Sequence, residues 1–156
     1  MGNYAFIDGN NIHLGIKELG WEIDYGRFRV YLKDKYNVIK AYYFIGYINK
    51  NKSLYKYLRK EGYKLIFKPT FKDGKGLIKG NCDAELVLRA MIDYDEYDKA
   101  IIVTGDGDFT CLARYLQKKN KLRTMLAPNS QKCSHLLRNE IRDIAFMNNL
   151  EHKIGK

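Results

Sequence analysis

The segment Ala100–Phe109, AIIVTGDGDF, joins an apolar run to a turn that carries two acids. The run is short, rich in branched side chains and free of charge, which is typical of a strand buried on both faces of a parallel sheet. Asp106 and Asp108 follow at once, separated by Gly107. In open parallel sheets, reactive groups gather beyond the carboxyl ends of the strands. The segment therefore predicts a central strand with acidic residues at its functional end.

A second segment of this kind lies near the start of the chain. Residues 4–8, YAFID, form an apolar run that ends on Asp8, and the polar GNN that follows opens a helix. Further strands are predicted at 38–47, 63–68, 122–127 and 141–146, and helices over 12–19, after Asp24, at 51–61, 83–94, 109–119 and around 133–139. Alternating strands and helices of this length predict a three-layer α/β fold with a mostly parallel central sheet of five or six strands.

The acids at these strand ends are candidates for a metal site. If the two strands flank the point where the strand order reverses, Asp8, Asp106 and Asp108 converge on one crevice, and Asp83, at the start of a helix, can join them. Carboxylates crowded together repel one another unless a cation neutralises them, and Mg²⁺ or Mn²⁺ suits such oxygen ligands. Taken singly, Asp8, Asp83 and Asp108 also fit helix caps. Their joint placement at strand ends favours metal-dependent phosphodiester hydrolysis.

Two polar neighbours complete the predicted site. Asn11 offers an amide beside Asp8 for a phosphate oxygen or a water, and Thr104 is placed to hydrogen-bond and orient the carboxylates.

The charge of the chain is concentrated in residues 27–79. The whole chain carries a net charge of +10, whereas this segment alone carries 15 Lys+Arg and three acids, a local charge of +12. Such a surface attracts phosphate backbones, and eight tyrosines lie among the charges, any exposed one of which can stack on an unpaired base. Lys75 and Lys79, in the glycine-rich stretch at 69–81, are expected to close over a bound phosphate backbone, and DGKG is expected to turn a hairpin there. An ordinary solvated surface explains the same composition.

Other features exclude several classes of protein. No apolar run approaches the roughly 20 residues of a membrane-spanning helix. Cys82, Cys111 and Cys133 are odd in number and widely spaced, which argues against a disulfide framework or structural zinc. The N-terminal residues lack a targeting pattern, so a cytoplasmic location is expected. A homodimer through an exposed apolar helix face stays open.

Three motifs together resemble the NYN domain family, PIN-like ribonucleases, in its LabA-like branch. They are FIDGNN at 6–11, KGNCDAEL at 79–86 and TGDGDF at 104–109, in the family's order. The resemblance implies a Rossmann-like PIN fold with central strand order 3-2-1-4-5 and a Mg²⁺ or Mn²⁺ site that cuts RNA. The implied acids are Asp8, Asp83, Asp106 and Asp108, with Asn11 as the family's asparagine and Thr104 as its hydroxyl residue. Arg89 stands where many relatives carry a further aspartate.

The sequence thus predicts one NYN/PIN-like nuclease domain over 1–150 and a short tail over 151–156. The expected activity is that of a metal-dependent endoribonuclease acting on single-stranded RNA. The alternative is a nucleic-acid-binding regulatory domain with a vestigial or structural metal site. A phosphohydrolase is disfavoured because Asp8 is followed by Gly9 and Asn10 rather than by a second acid two positions on, and a receiver domain because IFKP stands at the end of the third strand.

Overall fold

The computed structural model describes residues 1–69, 71–72, 74, 78–79 and 82–156. Its strands are β1 Asn3–Asp8, β2 Val38–Tyr47, β3 Tyr63–Pro69, β4 Phe71–Lys72, β5 Ile78–Lys79, β6 Ala100–Val103, β7 Leu122–Ala127 and β8 Ile144–Phe146. Its helices are α1 Gly9–Glu18, α2 Tyr25–Tyr36, α3 Lys52–Lys60, α4 Asp83–Ile92, α5 Thr110–Lys118, α6 His135–Glu140 and α7 Glu151–Ile154. Strands and helices alternate as the sequence predicts.

Six strands form a central sheet in the order β3-β2-β1-β6-β7-β8. Every neighbouring pair in this sheet is parallel. The chain builds outward from β1 to β3 and then returns to the other side of β1 with β6, so the order reverses between β1 and β6. This confirms the three-layer α/β prediction and the implied order of the first five strands, with β8 as a sixth strand at the edge.

Helices cover both faces of the sheet because its central strands are apolar on both sides. In β6, all four residues are buried. On one face Phe6, Phe44 and Ile102 pack with buried residues of α4 and α5. On the other face Ile7 and Val103 pack with buried residues of α1, α2 and α3. The two clusters hold β1 and β6 rigidly side by side.

Local signals set the helix ends. Asp8 and Asp24 are the N-caps of α1 and α2, and their side chains accept hydrogen bonds from the backbone N–H groups of Asn11 and Arg27. Beyond the C-terminus of α3, Gly62 adopts a φ of +99°, a backbone conformation that favours glycine. The carboxyl end of β1 therefore leads straight into α1, and Asp8 belongs to both elements.

Several boundaries differ from the prediction: α1 begins at Gly9 rather than near Ile12, α4 ends at Ile92 rather than at Tyr94, and two further differences have a visible cause. The predicted strand at 141–146 begins only at Ile144, because Ile141 is buried at the end of α6 and its N–H donates to the Leu137 carbonyl. The predicted helix at 109–119 begins at Thr110, after a 3₁₀ turn over Gly107–Phe109.

A small hairpin precedes α4. Strands β4 and β5 pair antiparallel, Phe71 with Lys79 and Lys72 with Ile78. The predicted hairpin is therefore present, and most of its DGKG turn lies outside the described residues.

The C-terminal residues pack against α2. Ile154 is fully buried, and the Gly155 carbonyl accepts a hydrogen bond of 3.1 Å from the Arg27 guanidinium. Within the described part of the chain, no helix is long and apolar enough to cross a membrane.

Candidate active site

Three aspartates from three elements meet at the carboxyl end of the sheet. Asp8 ends β1, Asp83 begins α4, and Asp106 lies just beyond β6. Each contributes one carboxylate oxygen to a group in which all oxygens lie within 4.8 Å of one another. The group stands between β1 and β6, where the strand order reverses. The structure thus brings together three of the four predicted acids, two from strand ends and one from the start of a helix.

Hydrogen bonds through Thr104 connect the ends of the two central strands. The hydroxyl of this fully buried residue donates to Asp8 Oδ2 at 3.0 Å and accepts the Asp106 N–H at 3.1 Å. The other oxygen of Asp8, Oδ1, accepts the Asn11 N–H at 3.3 Å. Both oxygens of Asp8 are therefore held by groups that fix the side chain in one orientation.

Asn11 connects α1 to the turn after β6. Its Oδ1 accepts the Gly105 N–H at 3.0 Å. The side-chain oxygen is thus engaged with the backbone, which leaves the amide Nδ2 as the polar end to consider for a ligand. Asn11 also lines the cleft that holds the acids.

The environment of Asp8 disfavours its charged form. Burial raises the pKa of Asp8 from the ordinary 3.8 to about 6; hydrogen bonds from Asn11 and Thr104 oppose this increase, and the negative charges of Asp83 and Asp106 add to it. Among the described residues, neither Asp8 nor Asp106 forms an ion pair with a lysine or arginine. A positive charge placed between the carboxylates would relieve both the repulsion and the cost of burial.

The donor set fits a hard divalent cation. Three carboxylate oxygens at this separation are the kind of ligands that Mg²⁺ and Mn²⁺ take, with waters completing the shell. The fit rests on the mutual approach of the three oxygens and on the raised pKa of Asp8, since an uncompensated group of this kind is costly to bury.

The acids open onto a cleft of about 480 Å³. Its walls include several residues that the sequence argument did not single out, among them Phe44, Cys82, Asn129 and Lys132. Asn129 follows the end of β7 just as Asp106 follows the end of β6. Its position after a strand is therefore the sequence feature that could have identified it as a residue of the cleft. Phe44 pairs in register with Asp8, a contact that depends on the strand order and not on any motif.

The remaining predicted residues lie elsewhere or fall outside the described chain. Asp108 is exposed and is not part of the group of three; its N–H donates to Asp106 Oδ1 at 2.9 Å. Asp106, and not Asp108, therefore caps the turn before α5. Lys75 lies outside the described residues, and so does the side chain of Lys79, whose backbone is in β5.

Arg89 has a structural partner in its own helix. Its guanidinium lies 3.7 Å from an oxygen of Asp93, and the other Asp93 oxygen accepts a hydrogen bond of 2.6 Å from the Tyr42 hydroxyl. The same guanidinium lies 5.7 Å from the Tyr42 ring centroid. This arrangement ties α4 to β2 and leaves the three aspartates unchanged.

Fold and site together define an α/β protein with an acidic cluster at the switch point of a parallel sheet. The NYN domain family matches residues 4–147, nearly the whole chain. The chain therefore belongs to the NYN domain family, whose members have a PIN-like nuclease fold.

A solved structure supports the fold independently. The chain is similar to a protein of unknown function from Vibrio parahaemolyticus, with a TM-score of 0.80 at 23% sequence identity, over 99% of this chain and 96% of that one. No protein with a curated description matches the chain.

Proposed function

We propose that this protein is a metal-dependent ribonuclease that hydrolyses phosphodiester bonds of single-stranded RNA. The observation that carries the proposal is the meeting of Asp8, Asp83 and Asp106 at the switch point of the sheet. Family membership supports a nuclease, and the concentration of cations in residues 27–79 supports a polyanionic substrate.

The three aspartates are proposed to hold Mg²⁺ or Mn²⁺. When bound, such a cation would supply Lewis-acid stabilisation of charge on the phosphate and a more acidic water. Asp8, fixed through both oxygens, would set the position of the group, and Asp83 would supply its ligand from a separate element. Asp108, exposed beside Asp106, is proposed to contact the cation through water or to bind a second one.

Thr104 and Asn11 are proposed to position the groups of the site. Thr104 holds the Asp8 carboxylate against the backbone of Asp106, so that the ends of β1 and β6 keep their relative position before any ligand binds. Asn11 is proposed to point its amide Nδ2 toward a phosphate oxygen of the RNA. Lys75 and Lys79 are proposed to contact the phosphate backbone from the hairpin.

The experiment is a cleavage assay on end-labelled single-stranded RNA, duplex RNA and DNA with Mn²⁺, Mg²⁺ or EDTA. We expect wild-type protein to cut single-stranded RNA only with metal and to leave 5′-phosphate and 3′-hydroxyl ends, and Asp106→Asn to lose the activity. Products with 2′,3′-cyclic phosphates, or cleavage in EDTA, would contradict the proposal.

RNA binding without turnover in any divalent metal would instead support the regulatory alternative. In that case the aspartate group would be a structural element of an RNA-binding domain. Cytoplasmic location stays a prediction from the sequence, and homodimer formation stays open.

A further inference from the structure

The structure separates the tyrosines of the basic segment by exposure. Of the eight at positions 31, 36, 42, 43, 47, 55, 57 and 63, Tyr47 is the one exposed residue, at 36%; the others are buried or partly buried. Stacking on a nucleic-acid base requires an accessible ring. Tyr47 is therefore the member of this set to consider for contact with RNA.

Tyr47 lies at the functional edge of the sheet. It is the last residue of β2, and Phe44 of the same strand pairs with Asp8. Tyr47 thus stands three residues beyond the level of the acids, roughly 10 Å further along the strand direction. The residue before it, Gly46, lines the cleft that contains the acids. An extended RNA strand in this cleft would reach Tyr47 within a few nucleotides.

Neighbouring aromatic rings fix the position of Tyr47. Its ring centroid lies 5.3 Å from that of Phe67 and 5.6 Å from that of Tyr55. Its hydroxyl donates to Asn49 Oδ1 at 3.3 Å. A ring ordered in advance loses little conformational entropy when a base stacks on it.

Helix α3 adds positive charge beside this ring. Lys52, Lys56 and Arg59 are exposed and follow at intervals of four and three residues, so they share one helix face. The Arg59 guanidinium lies 5.5 Å from the Phe67 ring centroid, which places this helix face next to the packed rings of Tyr47, Tyr55 and Phe67. None of these three cations pairs with a carboxylate within the part of the chain that the structure describes.

The two arginines of α2 are engaged differently. Arg27 pairs with Asp24 at 3.7 Å, and Arg29 donates to the carbonyls of Gly62 and Val38. The basic segment 27–79 therefore divides into a helix whose arginines support the fold and a helix, α3, whose cations face solvent.

We propose that Tyr47 and the basic face of α3, formed by Lys52, Lys56 and Arg59, are a subsite for an unpaired nucleotide of the RNA. The base stacks on Tyr47, and the adjacent phosphates lie along α3. Because a paired base keeps its faces covered within the duplex, this subsite selects single strands. The inference rests on the proposed function and names the feature of the substrate that the site would recognise.

The test measures binding of a fluorescein-labelled 12-nucleotide single-stranded RNA and of its duplex by fluorescence anisotropy in EDTA. We expect Tyr47→Ala to weaken single-strand binding roughly five- to 150-fold, the range for one lost stacking interaction, and to change duplex binding less than about twofold. Tyr47→Phe keeps the ring and should bind as wild type does. Tyr115→Ala is the matched control, because Tyr115 is an exposed tyrosine on α5, at 42%.

A second pair of variants tests the basic face of α3 independently of Tyr47. Lys52→Ala with Lys56→Ala should reduce the slope of log affinity against log salt by about 1.4 for single strands. Lys118→Ala with Lys119→Ala removes the same charge from exposed positions of α5 and the residue after it and should leave the slope unchanged.

The outcomes separate the subsite from the proposed nuclease. Equal loss of single-strand and duplex binding in Tyr47→Ala, or no loss, overturns the subsite, and RNA cleavage by wild-type protein with Mn²⁺ would then leave the nuclease standing. Selective loss in Tyr47→Ala supports the subsite even if no cleavage occurs. Wild-type protein that binds neither form of RNA in EDTA overturns the subsite, and wild-type protein that also cuts no RNA with Mn²⁺ overturns both.

Discussion

At the scale of single residues, Thr104 determines how Asp8 and Asp106 are arranged. One hydroxyl serves as donor to the carboxylate of the first and as acceptor for the backbone N–H of the second. Removing it leaves a partly buried N–H without its acceptor and deprives Asp8 of a hydrogen bond that favours its charged form.

Thr104→Val is therefore expected to lower the free energy of unfolding by about 1–3 kcal/mol and to reduce metal-dependent RNA cleavage. Thr104→Ser keeps the hydroxyl and should stay close to wild type in both. Urea unfolding and the cleavage rate measure the two effects. A valine variant as stable and as active as wild type would show that the hydrogen bonds through Thr104 are not needed.

Because the pKa of Asp8 is raised, we expect the stability of the metal-free protein to depend on pH. The folded-state pKa of about 6 lies above the ordinary 3.8, so between these values the folded state holds the proton more tightly than the unfolded state does. The stabilising effect of this protonation is complete below pH 3.8 and disappears as the pH rises through 6. Above pH 6 the ionised Asp8 costs up to roughly 3 kcal/mol of stability.

In EDTA, Asp8→Asn should therefore be more stable than wild type at pH 7.5, and the difference should shrink toward pH 4. Asparagine retains the N-cap function of this position. Added Mn²⁺ should stabilise wild-type protein and not the variant. Urea unfolding at both pH values measures this, and a variant that is less stable than wild type at pH 7.5 without metal would contradict the raised pKa.

The sequence was sufficient to place Asp8, Thr104 and Asp106, because two apolar strands end there, and Asp83, because it begins a helix. It was not sufficient for Arg89, because its contact with Tyr42 of β2 forms only when α4 packs on the sheet. Nor did it show that Asp108 would direct its N–H to Asp106, a detail of the turn geometry.

At the scale of elements, the junction between β1 and α1 is the most constrained part of the site. A Cβ added at Gly9 would lie 2.7 Å from the Phe44 carbonyl oxygen and 2.5 Å from the ring of Tyr43. The Gly9 carbonyl also accepts a hydrogen bond of 3.4 Å from the Tyr43 hydroxyl. Glycine here lets α1 start directly against β2, which brings Asp8 to its place.

Gly9→Ala should destabilise the fold by about 1–3 kcal/mol and weaken Mn²⁺ binding, because overpacking displaces the start of α1. Gly74→Ala is the control, since a Cβ there meets nothing within 4 Å among the described residues. Thermal unfolding and calorimetric Mn²⁺ titration check the effect. Equal stability and equal Mn²⁺ affinity of the two variants would contradict the close packing of Gly9 against β2.

The element boundaries were predictable where the chain carries its own signal. Asp24 and Gly62 mark helix ends by cap chemistry that is local in sequence. The start of β8 was not predictable, because the Arg142 N–H donates to the side chain of Gln117, a contact made only after folding.

At the scale of the whole molecule, the fold places three acids at the carboxyl ends of its central strands, and Tyr47, which ends β2, has the cations of α3 beside its ring cluster. The +12 charge of residues 27–79 was visible in the sequence, whereas its division between α2 and α3 required the structure. The central claim is that Asp8, Asp83 and Asp106 form one metal-dependent cleavage centre.

The most direct test is the initial rate of single-stranded RNA cleavage against Mn²⁺ concentration for wild type, Asp83→Asn and Glu85→Gln. Glu85 is the matched control, since it is an acid of the same helix, pairs with Lys68 and lies outside the group of three. We predict a loss of at least about 100-fold in Asp83→Asn, because even supporting residues of metal sites typically cost 10- to 100-fold, and a rate close to wild type in Glu85→Gln. Equal rates in the two variants, or cleavage that does not depend on Mn²⁺, would contradict the account.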